Sequence, residues 1–166
     1  MLTDFDALPE QARIWVYQSN RRFTDTEVES ITQRAEQFIS TWAAHGQALQ
    51  GSVKVLYQQF LILAVDEGNH LPSGCSIDSS VHFIKELEAG LGNDFFDRSK
   101  VAFAQGEEVV LESLSQAKEK ITQGKITGET TTFNNLVQDK SGLEEQWRIP
   151  VKDSWLAKYL NQQAAI

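Results

Sequence analysis

The sequence predicts an α+β fold: a ferredoxin-like split β-α-β unit, an antiparallel sheet with two helices, carrying a small C-terminal β-α-β extension. Three observations support this. Over residues 12–105, segments rich in β-branched and aromatic residues alternate with segments of helical periodicity, in the order strand, helix, strand, strand, helix, strand. The second and third strands are separated only by Gln58-Gln59, the spacing of a hairpin. Past residue 105 the pattern restarts with Val109-Val110-Leu111, then a helix with Leu114, Ala117, Lys118 and Ile121 on one side, then Thr130-Thr131-Thr132-Phe133. The chain is therefore divided into residues 1–105 and 106–166. No repeat, low-complexity tract or Pro/Gly-rich linker separates the two, so they are expected to pack as one body.

Residues 1–10 read as an acidic, loosely held lead-in ending near Pro9. Arg13-Ile14-Trp15-Val16-Tyr17-Gln18 is the first strand, and because its neighbours Ile14 and Trp15 face opposite sides, both sides of the sheet should be covered. Thr24-Asp25-Thr26-Glu27 is a capping box that opens a helix whose Val28, Ile31, Ala35, Phe38, Ile39 and Trp42 stay in register. His45-Gly46 is expected to stop it, with the glycine in a left-handed cap.

The alternation from Leu49 to Tyr57 predicts a half-buried strand. The unbroken apolar run Phe60 to Val65 predicts a buried one, feeding an exposed loop that begins at Asp66-Glu67-Gly68-Asn69. Ile77, Val81, Ile84, Leu87 and Leu91 define the next helix, with Ser76 or Asp78 as its N-cap and Gly90 and Gly92 at its end. Val101-Ala102-Phe103-Ala104 is the fourth strand. Trp147, Pro150 and the amphipathic segment Trp155-Leu156-Tyr159-Leu160 should dock on the rest; Trp15, Trp42, Trp147 and Trp155 are suited to line a binding surface, but core packing is the expected role.

Composition narrows the functional classes. A chain of 166 residues is long enough for a real core, and its formal charge of −8 argues against nonspecific attraction to nucleic acid or an anionic membrane. No apolar run approaches the roughly 20 residues that span a bilayer, and no basic-then-apolar leader opens the sequence, so no membrane insertion and a cytoplasmic location are expected. One cysteine cannot form an internal disulfide.

That cysteine lies in the stretch Ser73 to His82, where candidate chemistry concentrates. Gly74-Cys75-Ser76 falls at a predicted helix N-terminus, whose free amides and dipole favour negative charge on a thiolate or a bound anion. Three readings follow. Cys75 is a nucleophile with His70 or His82 as base and Asp66 or Asp78 orienting it. Alternatively, Ser73, Gly74, Ser76 and Ser79 with Ser80 cradle a phosphate or carboxylate, although capping explains the serines equally well. A metal site from His70, Cys75, Asp78 and His82 matches no recurrent ligand spacing, so no metal and no cofactor are expected. Separately, Asn134 and Asn135 are suited to bond a ligand or a partner strand, or else to make a turn by bonding their own backbone.

Residues 106–133, "GEEVVLESLSQAKEKITQGKITGETTTF", resemble the core of GYF-type adaptor modules in strand, helix and Gly-Lys-Ile turn, but contain no Gly-Tyr-Phe triplet. Over nearly its whole length, through "ARIWVYQSNRRFT", "SGCSIDSSVHFIKELE", "TTFNNLV" and "DSWLAKYL", the chain resembles a family of short bacterial proteins labelled ABC transporter ATPase. That label implies ATP hydrolysis, which needs Gly-x-x-x-x-Gly-Lys-Ser/Thr to cradle phosphates. Gly46 and Gly51 have the spacing, but Ser52-Val53 follow where lysine is required, and Gly124-Lys125 lacks the earlier glycine. No Leu-Ser-Gly-Gly-Gln signature occurs either. The expected function is accordingly a soluble binding or adaptor protein for a protein partner or small ligand, without catalysis. The alternative is a thiol-dependent enzyme or redox sensor using Cys75.

Overall fold

A computed structural model of the chain describes residues 1–66 and 74–163. It is an α+β structure. The elements run β1 (Arg13–Gln18), α1 (Asp25–Thr41), β2 (Ala43–Ala44), β3 (Gln47–Ala48), β4 (Gln50–Leu56), β5 (Phe60–Asp66) and α2 (Gly74–Leu91). They continue with β6 (Lys100–Gln105), β7 (Glu108–Ser113), α3 (Leu114–Thr122), β8 (Thr131–Phe133), α4 (Lys140–Glu145), β9 (Arg148–Pro150) and α5 (Ala157–Gln163).

The apolar run of β5 organises the packing. Its residues are buried on both faces, as an unbroken run requires, and the pleat sends them alternately to two cores. Leu61, Leu63 and Val65 meet Ile31, Ala35 and Ile39 of α1 and Ile84 and Leu87 of α2. Phe60, Ile62 and Ala64 meet Ala102, Phe133 and Trp147 of the second half of the chain. Strand β6 repeats the device: Ala102 and Ala104 face this central core, while Val101 and Phe103 join Ala117, Ile121 and Leu156 in a third. The result is four layers: helices, sheet, sheet, helices.

The first sheet has the order β1-β5-β4 and is antiparallel throughout, with Ile14 opposite Ala64 and Val53 opposite Leu63. β1 and β4 thus run the same way with β5 between them, a split β-α-β arrangement. The fourth strand departs from the ferredoxin-like expectation. β6 lies in the second sheet, order β7-β6-β8-β9, and not beside β1. Two local facts account for this. β6 and β7 close on the two-residue turn Gly106-Glu107, with Gly106 at φ 66, so their pairing is the short-range option. The edge of β1 is meanwhile occupied at one end by residues 138–140: Ile14 N–H donates to the Gln138 carbonyl (2.9 Å) and Lys140 N–H to the Ala12 carbonyl (2.9 Å). The hairpin β6–β7 straddles residue 105, where the sequence pattern divides the chain.

Three smaller expectations are corrected. α1 ends at Thr41, and His45-Gly46 is the turn of the β2–β3 hairpin; both residues have positive φ (53 and 76), as such two-residue turns demand. The β4–β5 turn comprises Tyr57-Gln58-Gln59, with Tyr57 and Gln58 at positive φ (57 and 51). That costly conformation is fixed by the entry to α1: Phe23 N–H donates to the Gln58 carbonyl, Arg22 donates to its side-chain oxygen, and its amide donates to Asp25. Finally, α2 begins at Gly74, so Ser76 and Asp78 lie inside it and neither is its N-cap.

Candidate functional site

The residues from Gly74 to His82 occupy different faces of α2. Gly74 is exposed in the first turn, with Cys75 beside it; the Cys75 side chain, like His70 and Ser73, lies outside the described residues. Ser76 is buried, and its carbonyl accepts the Trp42 indole N–H at 2.9 Å. Ser80 is also buried and donates to the Ile77 carbonyl at 2.6 Å. Ser79, Asp78 and His82 face outward, so the serines split between core and solvent. Asp78, Ser79 and His82 line a shallow trough of about 640 Å³ between α1 and α2, together with Arg34, Gln37 and Glu86. His82 pairs there with Glu86, one turn on, at 3.1 Å. The rings of Phe38 and Phe83, 4.6 Å apart and parallel, also line it. Among the described residues, no group of three or more His, Cys, Asp or Glu is placed to hold a metal ion. No helix among them is long and apolar enough to cross a membrane.

A second depression is built differently. It is a cleft of about 600 Å³ where the two sheets diverge, reached from the end of β1, the segment leading into β6, the loop after β8 and the lead-in to α5. Exposed large apolar side chains gather on it: Phe96 (43% exposed), Leu136 (85%) and Trp155 (55%). The other exposed large apolar residues among those described are Met1 and Leu2. An exposed leucine alone needs no explanation; three such side chains on one concave surface do. Trp155 thereby departs from the expected core role, whereas Trp42 and Trp147 are buried and Trp15 packs half-buried against Trp42.

The asparagine pair stands on this cleft, and its two members do different work. Asn134 makes the turn: its side-chain oxygen accepts the Leu136 N–H (3.2 Å), while its own N–H donates to the Trp147 carbonyl (2.6 Å). Asn135 instead joins a directed chain of side chains. Trp147 donates its indole N–H to the Asn135 side-chain oxygen (2.9 Å), Asn135 donates to the Gln18 side-chain oxygen (3.0 Å), and Gln18 donates to the Lys100 carbonyl (3.1 Å). An indole can only donate, so the first bond decides which amide atom is oxygen at both later positions. Each amide nitrogen keeps a second N–H with no partner among the described residues.

Backbone and charge add to this surplus of donors. Ile14 N–H points away from β5 to reach Gln138, so by the two-residue period of a strand the N–H groups of Val16 and Gln18 point the same way. Past Ile14, no described residue pairs with that edge. Arg98 and Lys100 also line the cleft, and neither forms an ion pair among the described residues. Two carboxylates are present. Asp97 accepts from the Ser99 hydroxyl (2.5 Å) and amide (2.8 Å), bonds that hold its carboxyl below its ordinary pKa; Asp153 also lines the cleft.

The sequence thus points to Asn134 and Asn135 and offers Trp155 only as the lesser reading of its tryptophans, and it gives no sign of Gln18, Phe96, Arg98, Lys100 or Leu136 as cleft residues. Gln18 carries no signal of its own, being the last residue of an ordinary strand. The doublet Phe95-Phe96 divides, Phe95 into the core and Phe96 onto the cleft, which adjacency in a non-helical segment allows but does not reveal. Comparison with protein-family models, with curated proteins and with solved structures finds no match for the chain.

Proposed function

We propose that this chain is a cytoplasmic binding protein without catalytic activity, and that its ligand seats in the cleft between the two sheets. The observation that carries the reading is the gathering of Phe96, Leu136 and Trp155 on one concave surface beside an oriented chain of amides. Its volume falls in the range of ligand sites, and its mixture of exposed aromatics with a few fixed polar groups is what such sites use to combine affinity with orientation. Among the described residues the cleft lining contains no histidine or cysteine for a thiol mechanism to draw on. The resemblance to proteins labelled ABC transporter ATPase is one of sequence alone, and ATP hydrolysis does not follow from it, because no lysine follows Gly51 to meet a nucleotide phosphate.

The test is a selection from a random dodecapeptide display library, run in parallel on the wild-type chain and on a Leu136→Asp/Trp155→Ala variant. Both positions are exposed, so the variant should fold. Peptides enriched on the wild type should bind the variant about thirtyfold more weakly or worse, the loss expected for an aromatic anchor worth about 2 kcal/mol. Peptides that bind both equally, or no enrichment on the wild type, would sink the proposal.

A further inference from the structure

Resting on that reading of the cleft, we infer that its ligand is an extended peptide that adds a strand to the open edge of β1 and places an acidic side chain against Arg98 and Lys100.

The edge supplies the first part. Residues 138–140 already lie along β1 as an antiparallel partner, taking the Ala12 carbonyl and the Ile14 N–H. Their pairing stops there, while β1 continues to Gln18. The Ile14 carbonyl, Val16 N–H, Val16 carbonyl and Gln18 N–H are the next groups on that edge, and Val16, Tyr17 and Gln18 line the cleft. An unpaired strand edge within a concave surface is the template that strand addition uses, with backbone bonds giving affinity and flanking pockets giving selectivity. A peptide there would continue the track that residues 138–140 begin. Alternate side chains would turn toward the apolar surfaces of Phe96, Leu136 and Trp155.

Charge supplies the second part. The chain as a whole carries −8, yet Arg98, just before β6, and Lys100, its first residue, form no salt bridge among the described residues. The nearest acid in sequence, Asp97, spends its hydrogen bonds on Ser99 and feels the Lys100 charge only as a weaker, through-space attraction. With the spare N–H groups of Gln18 and Asn135 alongside, the polar part of the cleft offers donors in excess. The lining's formal charges balance, Arg98 and Lys100 against Asp97 and Asp153, so the complement is rich in acceptors and its acidic side chain belongs locally, beside Arg98 and Lys100.

The test uses the full chain labelled with 15N and a capped hexapeptide, Thr-Val-Glu-Val-Thr-Val, as probe. Three analogues accompany it: one with lysine in place of glutamate, and two N-methylated on alternate sets of amides. The probe should shift the Val16 and Gln18 amide resonances in a saturable way. The lysine analogue should bind at least roughly fivefold more weakly, and an Arg98→Glu/Lys100→Glu variant should reverse that order. Methylation of one alternate set should abolish binding while the other is tolerated, because only one edge of an added strand faces β1.

Equal tolerance of both methylated analogues would overturn strand addition. So would shifts at the Trp155 indole and Asn135 amide with Val16 and Gln18 unmoved, although that result would leave the cleft as the binding site. A lysine analogue that binds as well as the probe would overturn the acidic preference. No shift anywhere along the cleft with any of the peptides would sink both this inference and the reading beneath it.

Discussion

Trp147 donates its indole N–H to the side-chain oxygen of Asn135 over 2.9 Å, and that bond orients two amides at once. The indole lies in the central core, in ring contact with Phe60 and Phe133, so its position is set by packing and not by the cleft. Asn135 and then Gln18 are aligned from it, which converts core packing into a defined pattern of donors at the surface.

Removing the middle of this chain should therefore cost stability as well as binding. Asn135→Ala leaves the Trp147 N–H without its acceptor inside the protein, and a loss of about 1–3 kcal/mol is expected from urea unfolding. Asn135→Asp keeps the acceptor for Trp147 but presents an acceptor to Gln18 where a donor stood. It should unfold closer to the wild type while weakening any ligand that needs the donor. Two variants that behave alike in both assays would contradict the directed chain.

The N-terminal segment is tethered by a buried lysine. Lys140 donates to the Leu8 carbonyl (2.8 Å) and the Asp6 carbonyl (3.2 Å), with the Glu10 carboxylate 3.9 Å away. Lys140→Met keeps the stem and removes every donor, so about 2 kcal/mol should be lost and residues 4–10 should become open to limited proteolysis. Cleavage rates there that match the wild type would refute the tether.

Glu27 ties the start of α1 to the end of α2. It accepts both guanidinium nitrogens of Arg21 (2.9 and 2.7 Å) and closes the capping box on Thr24, while Arg21 also donates to the Leu91 carbonyl. The Arg21 bonds, and then the Thr24 amide, lower its pKa from 4.5 to about 2. A carboxyl whose pKa is depressed on folding stabilises fully above its unfolded value and loses that contribution as pH falls toward its folded value. The stability difference between wild type and Glu27→Gln should thus be constant above pH 4.5 and shrink toward zero near pH 2. A difference that stays constant across this range would show that the ion pair contributes nothing.

Two glycines separate crowding from backbone strain. A Cβ on Gly51 would stand 2.9 Å from the Ala64 carbonyl oxygen, a backbone atom that cannot yield, so Gly51→Ala should cost about 1–3 kcal/mol. Gly46 has open space around its Cβ position but sits at φ 76, so Gly46→Ala should cost about 1 kcal/mol from conformation alone. Thermal melts of the two variants check both figures, and a Gly51→Ala that melts with the wild type would contradict the close approach.

Local signals were legible in the sequence and long-range ones were not. The Thr24 to Glu27 capping box and the two-sided run of β5 depend on neighbours in the chain, and the structure has both; β4 forms as a strand, but its burial does not alternate, since Gly51 and Ser52 are both buried. A second capping box, Ser113 with Gln116, is a local signal of the same kind. The left-handed character of His45-Gly46 is readable, but a helix stop and a hairpin turn demand the same φ, so the residues alone do not separate the two. The partner of β6 depends on residues 138–140 reaching back to β1, and no short window contains that. Asn135 was suspected from its residue type. Gln18 and Trp155 belong to the cleft only because strands distant in sequence meet there.

The most direct measurement is residue-resolved amide hydrogen exchange along β1 in the free chain, repeated with a peptide recovered from the display selection. The account predicts that the Trp15 and Tyr17 amides, bonded to β5, are protected, that those of Val16 and Gln18 exchange fast, and that the peptide slows the latter two. Uniform protection along β1 without peptide, or Val16 and Gln18 amides indifferent to a bound peptide, would contradict it.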